Sequence, residues 1–454
     1  MIFSSIPFLY YFLPLALLLC YLVPSRARNA FLLLASLLFY AWGEPKYLPV
    51  MAAATALGYG FGLAIQRFRR FRKPLLVLSI VSSLGFLLYF KYADFFLENL
   101  NGLGGNIPLL GLALPVGISF YTFQILSYTV DVYRGEVRAQ RNPIDLACYV
   151  TFFPQLIAGP IVRYKDIAAQ LRDRPQNLDN LRLGAARFLV GLGKKVLLAN
   201  LLGEVCAAWR VTADPSVLFS WLYAISYTLH IYFDFSGYSD MAIGLGKLFG
   251  FSFPENFNYP YISRSVTEFW RRWHMSLGTW FRDYVYIPLG GNRKGKGRQF
   301  LNILIVWMLT GFWHGAAWNF LLWGLYFALL LMAEKAGLPV RGRVYTLAAV
   351  VLGFVLFDAS SLSSALACVK GLFGLGGLPP VSTQGLYLLK SNLVLLAVAI
   401  LGATPAPKRL WEHLEAKAPR LSAGLAPIGM AVLLLVSTAC LVDGSYNPFL
   451  YFRF

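Results

Sequence analysis

Two histidines are the side chains in this sequence best suited to moving a proton. His314 lies in TGFWHGAAWNF, inside the uncharged run 299–333. An ionisable group in such a run is costly to place and points to function by default. A neutral imidazole there is ready to accept a proton, although a histidine hydrogen-bonded between helices is the plainer alternative. His274 lies in EFWRRWHMSLGTWFRDY, just upstream of that run. Helical spacing puts Trp270, Gly278 and Phe281 on its side, and the two rings are expected to border one cavity. The other histidines carry less. His230 reads as packed or pore-lining on a span that ends at Asp234, and His413 reads as solvated in a charged loop.

Acidic groups near membrane depth are few. Asp234 and Asp240 bracket DFSGYSD at a spacing that is neither i,i+3 nor i,i+4, so they form no ready-made carboxylate pair and are expected to pin a Ser/Tyr-rich turn. GGNRKGKG at 290–297 imitates a phosphate-binding loop, but Gly297 stands where Ser or Thr is required. Its cations Arg293, Lys294, Lys296 and Arg298 still suit phosphates, either of lipid headgroups or of a nucleotide-bearing thioester donor. Five cysteines in apolar surroundings, at no metal-like spacing, predict neither a disulfide frame nor a metal site. The tail SYNPFLYFRF is too aromatic for a disordered end and is expected to dock, with Tyr446 and Tyr451 offering hydroxyls.

The elements that must hold these groups are membrane helices. Of 454 residues, 58% are hydrophobic and 13% charged, which excludes a soluble enzyme and a disordered chain. The mean hydropathy of +0.59 agrees. A crossing helix needs about 20 apolar residues. Runs near that length are 1–25, 47–66, 74–90, 99–130, 216–233, 299–333 and 421–442, with shorter ones at 29–43, 183–202, 344–357 and 386–402. The run 299–333 holds two short spans with a turn near 315–319, giving about twelve transmembrane helices in an all-α protein. The uncharged first 24 residues are expected to be a retained span. The net charge of +19 is read as inward-facing loops, since alternation from the basic loop at 67–73 places every strongly basic loop on one side and both termini on the other. No nucleic-acid partner is implied.

Two stretches break the pattern. Residues 146–162 are apolar but interrupted by Pro154 and Pro160, which predicts a re-entrant hairpin. Residues 265–284 carry Phe269, Trp273, Leu277, Trp280 and Tyr284 at helical spacing, which predicts one interfacial amphipathic helix. No repeat divides the chain. A single membrane domain is expected, with N-terminal spans over 1–140, a core over 141–340, and C-terminal spans and tail over 341–454.

With these residues in view, the chain resembles the membrane-bound O-acyltransferase family, in its alginate O-acetyltransferase-like branch. The stretches that carry the resemblance are FFPQLIAGPIVRY, YFDFSGYSDMAIGLGKLFGF, NYPYISRSVTEFWRRWHMSLGTWFRDYVYIPLGGNR, LTGFWHGAAWNFLLWG and NPFLYFRF, with PVGISFYTFQ in the N-terminal half. The resemblance implies a ring of helices around a thin centre, with cytoplasmic and outer funnels meeting near the catalytic histidine, His314, and with His274 as the second important histidine. It implies an acetyl group passed from a cytoplasmic donor, acetyl-CoA or an acyl-carrier protein, to a polysaccharide outside a bacterial cytoplasmic membrane, with the lipid bilayer and an extracytoplasmic acetyltransferase as partners and no bound cofactor or metal. His314 would act as general base. The attacking hydroxyl would be that of Tyr451 as an acyl relay, of a partner's serine, or of the glycan. Trp313, Trp318 and Trp323 would wall the tunnel together with Asp234. Rival expectations are D-alanyl or other acyl transfer to teichoic acid or a lipid-linked glycan, and a transporter without catalysis.

Overall fold

The computed structural model describes residues 2–375, 377–444 and 449–450. Every regular element among the described residues is helical, and no strand occurs among them. The chain packs as two compact units, Met1–Phe188 with Ser239–Glu255, and Leu189–Tyr238 with Asn256–Phe454.

The first unit is built on phenylalanine. Phe153 packs against Phe12 and Phe39, each with ring centroids 5.3 Å away, and Phe3 and Phe8 close the cluster. Phe153 belongs to the proline-broken stretch. There the helix Pro143–Thr151 ends at Phe152, whose ψ of 113° turns the chain, and a single helical turn, Phe153–Leu156, follows. Irregular backbone in an apolar interior must find polar partners. Gln155 donates to the Tyr149 carbonyl at 2.5 Å, and the Tyr149 hydroxyl donates to the Val162 carbonyl at 3.0 Å. The apolar run 99–130 is not one span. Helix ends at Gly102 and resumes only at Ile118–Arg134. Glycines and prolines crowd the interval, and both Asp94 oxygens hold it by accepting the amides of Leu110 and Gly111. Apolar length alone misread that stretch.

The second unit holds the residues of interest. Its hairpin, Gly295–His314 followed by Trp318–Ala336, divides the run 299–333 with a break at 315–317, close to the expected turn. Two other expectations need correction. DFSGYSD is not a turn but continuous helix within Val217–Leu248, because its small residues permit close helix contact. A Cβ on Gly237 would lie 2.8 Å from the Gly191 carbonyl. The stretch 265–284 is not one helix either. It runs as Val266–Arg272, breaks at Trp273 and His274, continues as Met275–Phe281, and ends in a π-helical turn, Arg282–Tyr286.

Membrane-compatible helices are plain in both units. Pro45–Arg67, Arg69–Gly102, Trp318–Ala336 and Pro419–Asp443 are long and apolar enough to cross, and Thr383–Ser391 with Leu393–Gly402 form a further pair bent by 57°. Several other apolar runs fold as shorter helices, such as Arg28–Ala41 with 14 residues and Arg343–Asp358 with 16. At about 1.5 Å per residue, 14 residues reach roughly 21 Å. The chain is a multi-pass all-α membrane protein.

Candidate active site

The hairpin places His314. Its two helices approach closely because Gly311 and Gly324 face each other's backbone. A Cβ at Gly311 would lie 2.3 Å from the Phe320 carbonyl, and one at Gly324 would lie 2.4 Å from that of Trp307. Small residues at such a crossing let main chains touch, as membrane helix pairs require. His314 is the last residue of the first helix and is 7% exposed. Its Nδ1 lies 2.7 Å from the Thr310 carbonyl, one turn back. A carbonyl only accepts, so Nδ1 carries the hydrogen, and in the neutral ring the lone pair is on Nε2. Trp313, Trp323 and Phe357 meet the ring at centroid distances of 4.9, 5.0 and 5.4 Å. Asn319 steadies Phe357 by donating to its carbonyl at 3.2 Å.

His274 arrives differently. It sits in the helical break, with φ 45° and ψ 53°. That left-handed conformation is uncommon for a residue with a side chain. A loop residue, Asn256, holds it there. The Asn256 carbonyl accepts the Met275 amide at 2.9 Å, while its Oδ1 lies 3.0 Å from His274 Nδ1 and accepts from Ser276 Oγ at 2.9 Å. Asn258 pairs with Arg272 on the other side of the break, its amide donating to the Arg272 carbonyl at 2.9 Å. The preceding helix is fastened at its N-terminus by Glu334, which accepts the amides of Val266 and Thr267 at 2.6 and 3.0 Å. Carboxylates suit that position because it leaves unpaired N–H groups.

Both histidines line one cavity of about 410 Å³. Its walls are apolar over Trp270, Leu277, Ile303 and Trp307, and its cations are Arg271, Arg282 and Lys335. A proton acceptor, a second imidazole, an apolar sleeve and a cationic border therefore share one space. Among the described residues no cluster of His, Cys, Asp or Glu could hold a metal ion.

Residues 134–348, which contain both histidines, match the family profile described as MBOAT, membrane-bound O-acyltransferase. Over 488 aligned positions the chain is 41% identical to a Pseudomonas putida protein named "Probable alginate O-acetylase AlgI", covering 100% of both. The chain belongs to the membrane-bound O-acyltransferase family. It is an O-acyltransferase, which sets the transporter expectation aside. A Helicobacter pylori "Peptidoglycan O-acetyltransferase" is 35% identical over 424 positions, 83% of this chain and 80% of that one. A Bacillus subtilis "Teichoic acid D-alanyltransferase" is 31% identical over 231 positions, 48% of this chain and 58% of that one.

The other residues singled out in this acyltransferase are not among those that line the cavity. Trp313 bridges the histidines, 5.9 Å from the His274 ring and 4.9 Å from that of His314. Trp323 is buried behind His314, whereas Trp318 is 60% exposed. Arg293 and Lys294 precede the His314 helix and Lys296 and Arg298 lie in its first turn, all four exposed. Asp234 is buried and ion-paired with Lys195. Asp240 belongs to the first unit and pairs with Arg187 at 2.7 Å. His230 is packed, its Nδ1 2.6 Å from the Ala199 carbonyl. Tyr446 and Tyr451 lie outside the described residues.

Periodicity overlooked three residues. Asn256 sits in a loop with no pattern, 18 positions before its partner. Lys195 and Glu334 were visible as charges inside or at the end of apolar runs, and that rule would have found them.

Proposed function

We propose that this membrane O-acyltransferase takes an acetyl group from acetyl-CoA on the cytoplasmic side and delivers it for O-acetylation of a polysaccharide outside the cell or in the periplasm. The observation that carries the reading is the meeting of His314 and His274 in one apolar cavity bordered by Arg271, Arg282 and Lys335. The cations suit the donor's phosphates, and Arg293, Lys294, Lys296 and Arg298 form a second, exposed collar for the same anion. The acetyl thioester enters the apolar part. Nε2 of His314 takes the proton of an attacking hydroxyl as its oxygen bonds to the acetyl carbon. The carbon–sulfur bond then breaks, and the histidine returns the proton to the departing thiolate. His274 orients the thioester from the opposite wall. Trp313 and Trp323, with Trp318 towards the surface, keep water from competing for the acetyl carbon.

Short helices support a thinned centre at which donor and acceptor meet, with about twelve crossings, both termini outside, and the bacterial cytoplasmic membrane as location. Residues 141–340 form the catalytic core between N-terminal spans over 1–140 and C-terminal spans over 341–454. The hydroxyl is that of the glycan, of an extracytoplasmic acetyltransferase partner, or of Tyr451 acting as a relay. D-alanyl transfer to teichoic acid is the second reading, favoured by the likeness to the B. subtilis relative over about half of the chain.

The test is the acetyl content of exopolysaccharide from cells expressing wild type or His314→Ala, with insertion verified by immunoblot of membranes. General-base loss removes about 10²- to 10⁴-fold of the rate, so acetylation should disappear. Unchanged acetylation by an inserted variant overturns the assignment. D-alanine esters appearing in place of acetate decide for the second reading.

A further inference from the structure

We propose that Asp234 is a positioning residue that fastens Phe449 and Leu450 against the His274 wall of the cavity. The proposal rests on the transfer reading above. Lys195 lies on a π-helical turn, Lys194–Ala199, and its Nζ is 2.5 Å from Asp234 Oδ1. The two side chains are 2% and 0% exposed. π-Turns inside helices often mark functional sites. The second oxygen, Oδ2, accepts the main-chain amide of Leu450 at 2.8 Å, across 216 residues of sequence.

One helical turn beyond Asp234, on the same face, Tyr238 stacks on Phe449 with centroids 4.9 Å apart at 28°. Phe449, 2% exposed, also meets Phe235 at 5.7 Å. Phe235 stands edge-on to the His274 ring, 4.6 Å away at 89°. A continuous path of contacts thus runs from the Asp234 carboxylate through Leu450, Phe449 and Phe235 to a histidine of the cavity.

Stability alone is a poor account of this arrangement. Replacing a buried ion pair with apolar residues of similar volume is often neutral or stabilising, because desolvating two charges offsets their attraction. What the carboxylate adds is a charged acceptor for a backbone amide, a stronger bond than a neutral oxygen provides. Phe449 then braces Phe235, and Phe235 fixes the ring plane of His274. Releasing the segment should let that ring tilt, which slows the chemical step and leaves donor binding alone.

The experiment uses the full chain in lipid nanodiscs, with acetyl-CoA as donor and host polysaccharide as acceptor, following thiol release. Asp234→Ala and Phe449→Ala should each lower kcat about tenfold, with the acetyl-CoA KM changed less than about twofold. Hydrogen exchange at 449–450 supplies an arm independent of activity. The Leu450 amide should exchange slowly in wild type and about tenfold or more faster in Asp234→Ala. Lys195→Met combined with Asp234→Asn removes both charges yet keeps a weaker, neutral acceptor oxygen, and should recover part of the kcat lost in Asp234→Ala. An unprotected Leu450 amide in wild type, or absence of rescue, overturns the tether. Released segments with unchanged kcat overturn the positioning role. If wild type cleaves no acetyl-CoA, the transfer reading fails, and the exchange arm still decides the tether.

Discussion

His314 and His274 reach the same cavity by opposite routes. His314 ends a regular helix, and its Nδ1 partner is a carbonyl of its own preceding turn. His274 occupies a left-handed break, and its Nδ1 partner is a side chain 18 residues away. One placement is local and regular, whereas the other depends on a distant loop. The difference teaches where the site is vulnerable. No side-chain substitution removes the Thr310 carbonyl from His314 Nδ1, while a single one removes the Asn256 oxygen from His274 Nδ1.

That contrast supplies the sharpest prediction. Asn256→Ala should lower transfer about 10- to 100-fold, since it leaves His274 and Ser276 without their shared acceptor, each such loss costing about 1–3 kcal/mol. Thr310→Ala, which keeps the main-chain carbonyl, should stay within about threefold of wild type. Thiol release by the purified variants compares the two directly. Equal losses would dissolve the distinction between the placements.

The next effect concerns the frame around His314. Gly311→Ala would put a Cβ 2.3 Å from the Phe320 carbonyl, so the hairpin must separate. Overpacking of this kind costs about 1–3 kcal/mol. A lower Tm in detergent is expected, together with reduced transfer. An unchanged Tm would mean that the helices part without penalty and that close packing does not set the histidine.

Smaller effects should follow at the break itself. His274→Asn keeps a residue that tolerates positive φ, whereas His274→Val forces a β-branched side chain into the left-handed region. Both should lose transfer, but only the valine variant should lose a further 1–3 kcal/mol or so of stability. Thermal unfolding in detergent separates them, and equal Tm values would show that the break relaxes freely. The smallest expected change is at the cationic border. Arg271→Ala with Lys335→Ala should raise the acetyl-CoA KM a few-fold, in line with the modest worth of exposed charges, and less so in high salt. A fall in kcat with unchanged KM would place the donor elsewhere.

The same contrast explains what could be seen in advance. The hairpin around His314 was legible because its two apolar stretches and their turn are contiguous, and helix pairs need no distant information. The break at His274 was not. Phe269, Trp273, Leu277 and Trp280 keep helical spacing across it, so periodicity alone predicts continuity. The chain departs from that pattern because Asn256 and Asn258 capture its backbone, and such long-range bonds leave no mark on spacing. Glycine density exposed the interruption inside 99–130 to anyone weighting breakers above hydropathy. The pairing of Asp234 with Lys195 was not legible: DFSGYSD reads as a Ser/Tyr-rich turn, and no spacing links Asp234 to a lysine 39 residues earlier.

The Gly311–Gly324 contact also bears on motion. Two helices whose main chains meet with no side chains between them have no soft layer in which to slide, and packed interiors deform little. His314 is therefore preorganised before any donor arrives. The opposite wall is built otherwise, from short helical pieces that meet at Trp273 and His274 and are held there by bonds to Asn256 and Asn258. The site pairs a wall set by main-chain contact with one assembled from separate pieces and their distant partners.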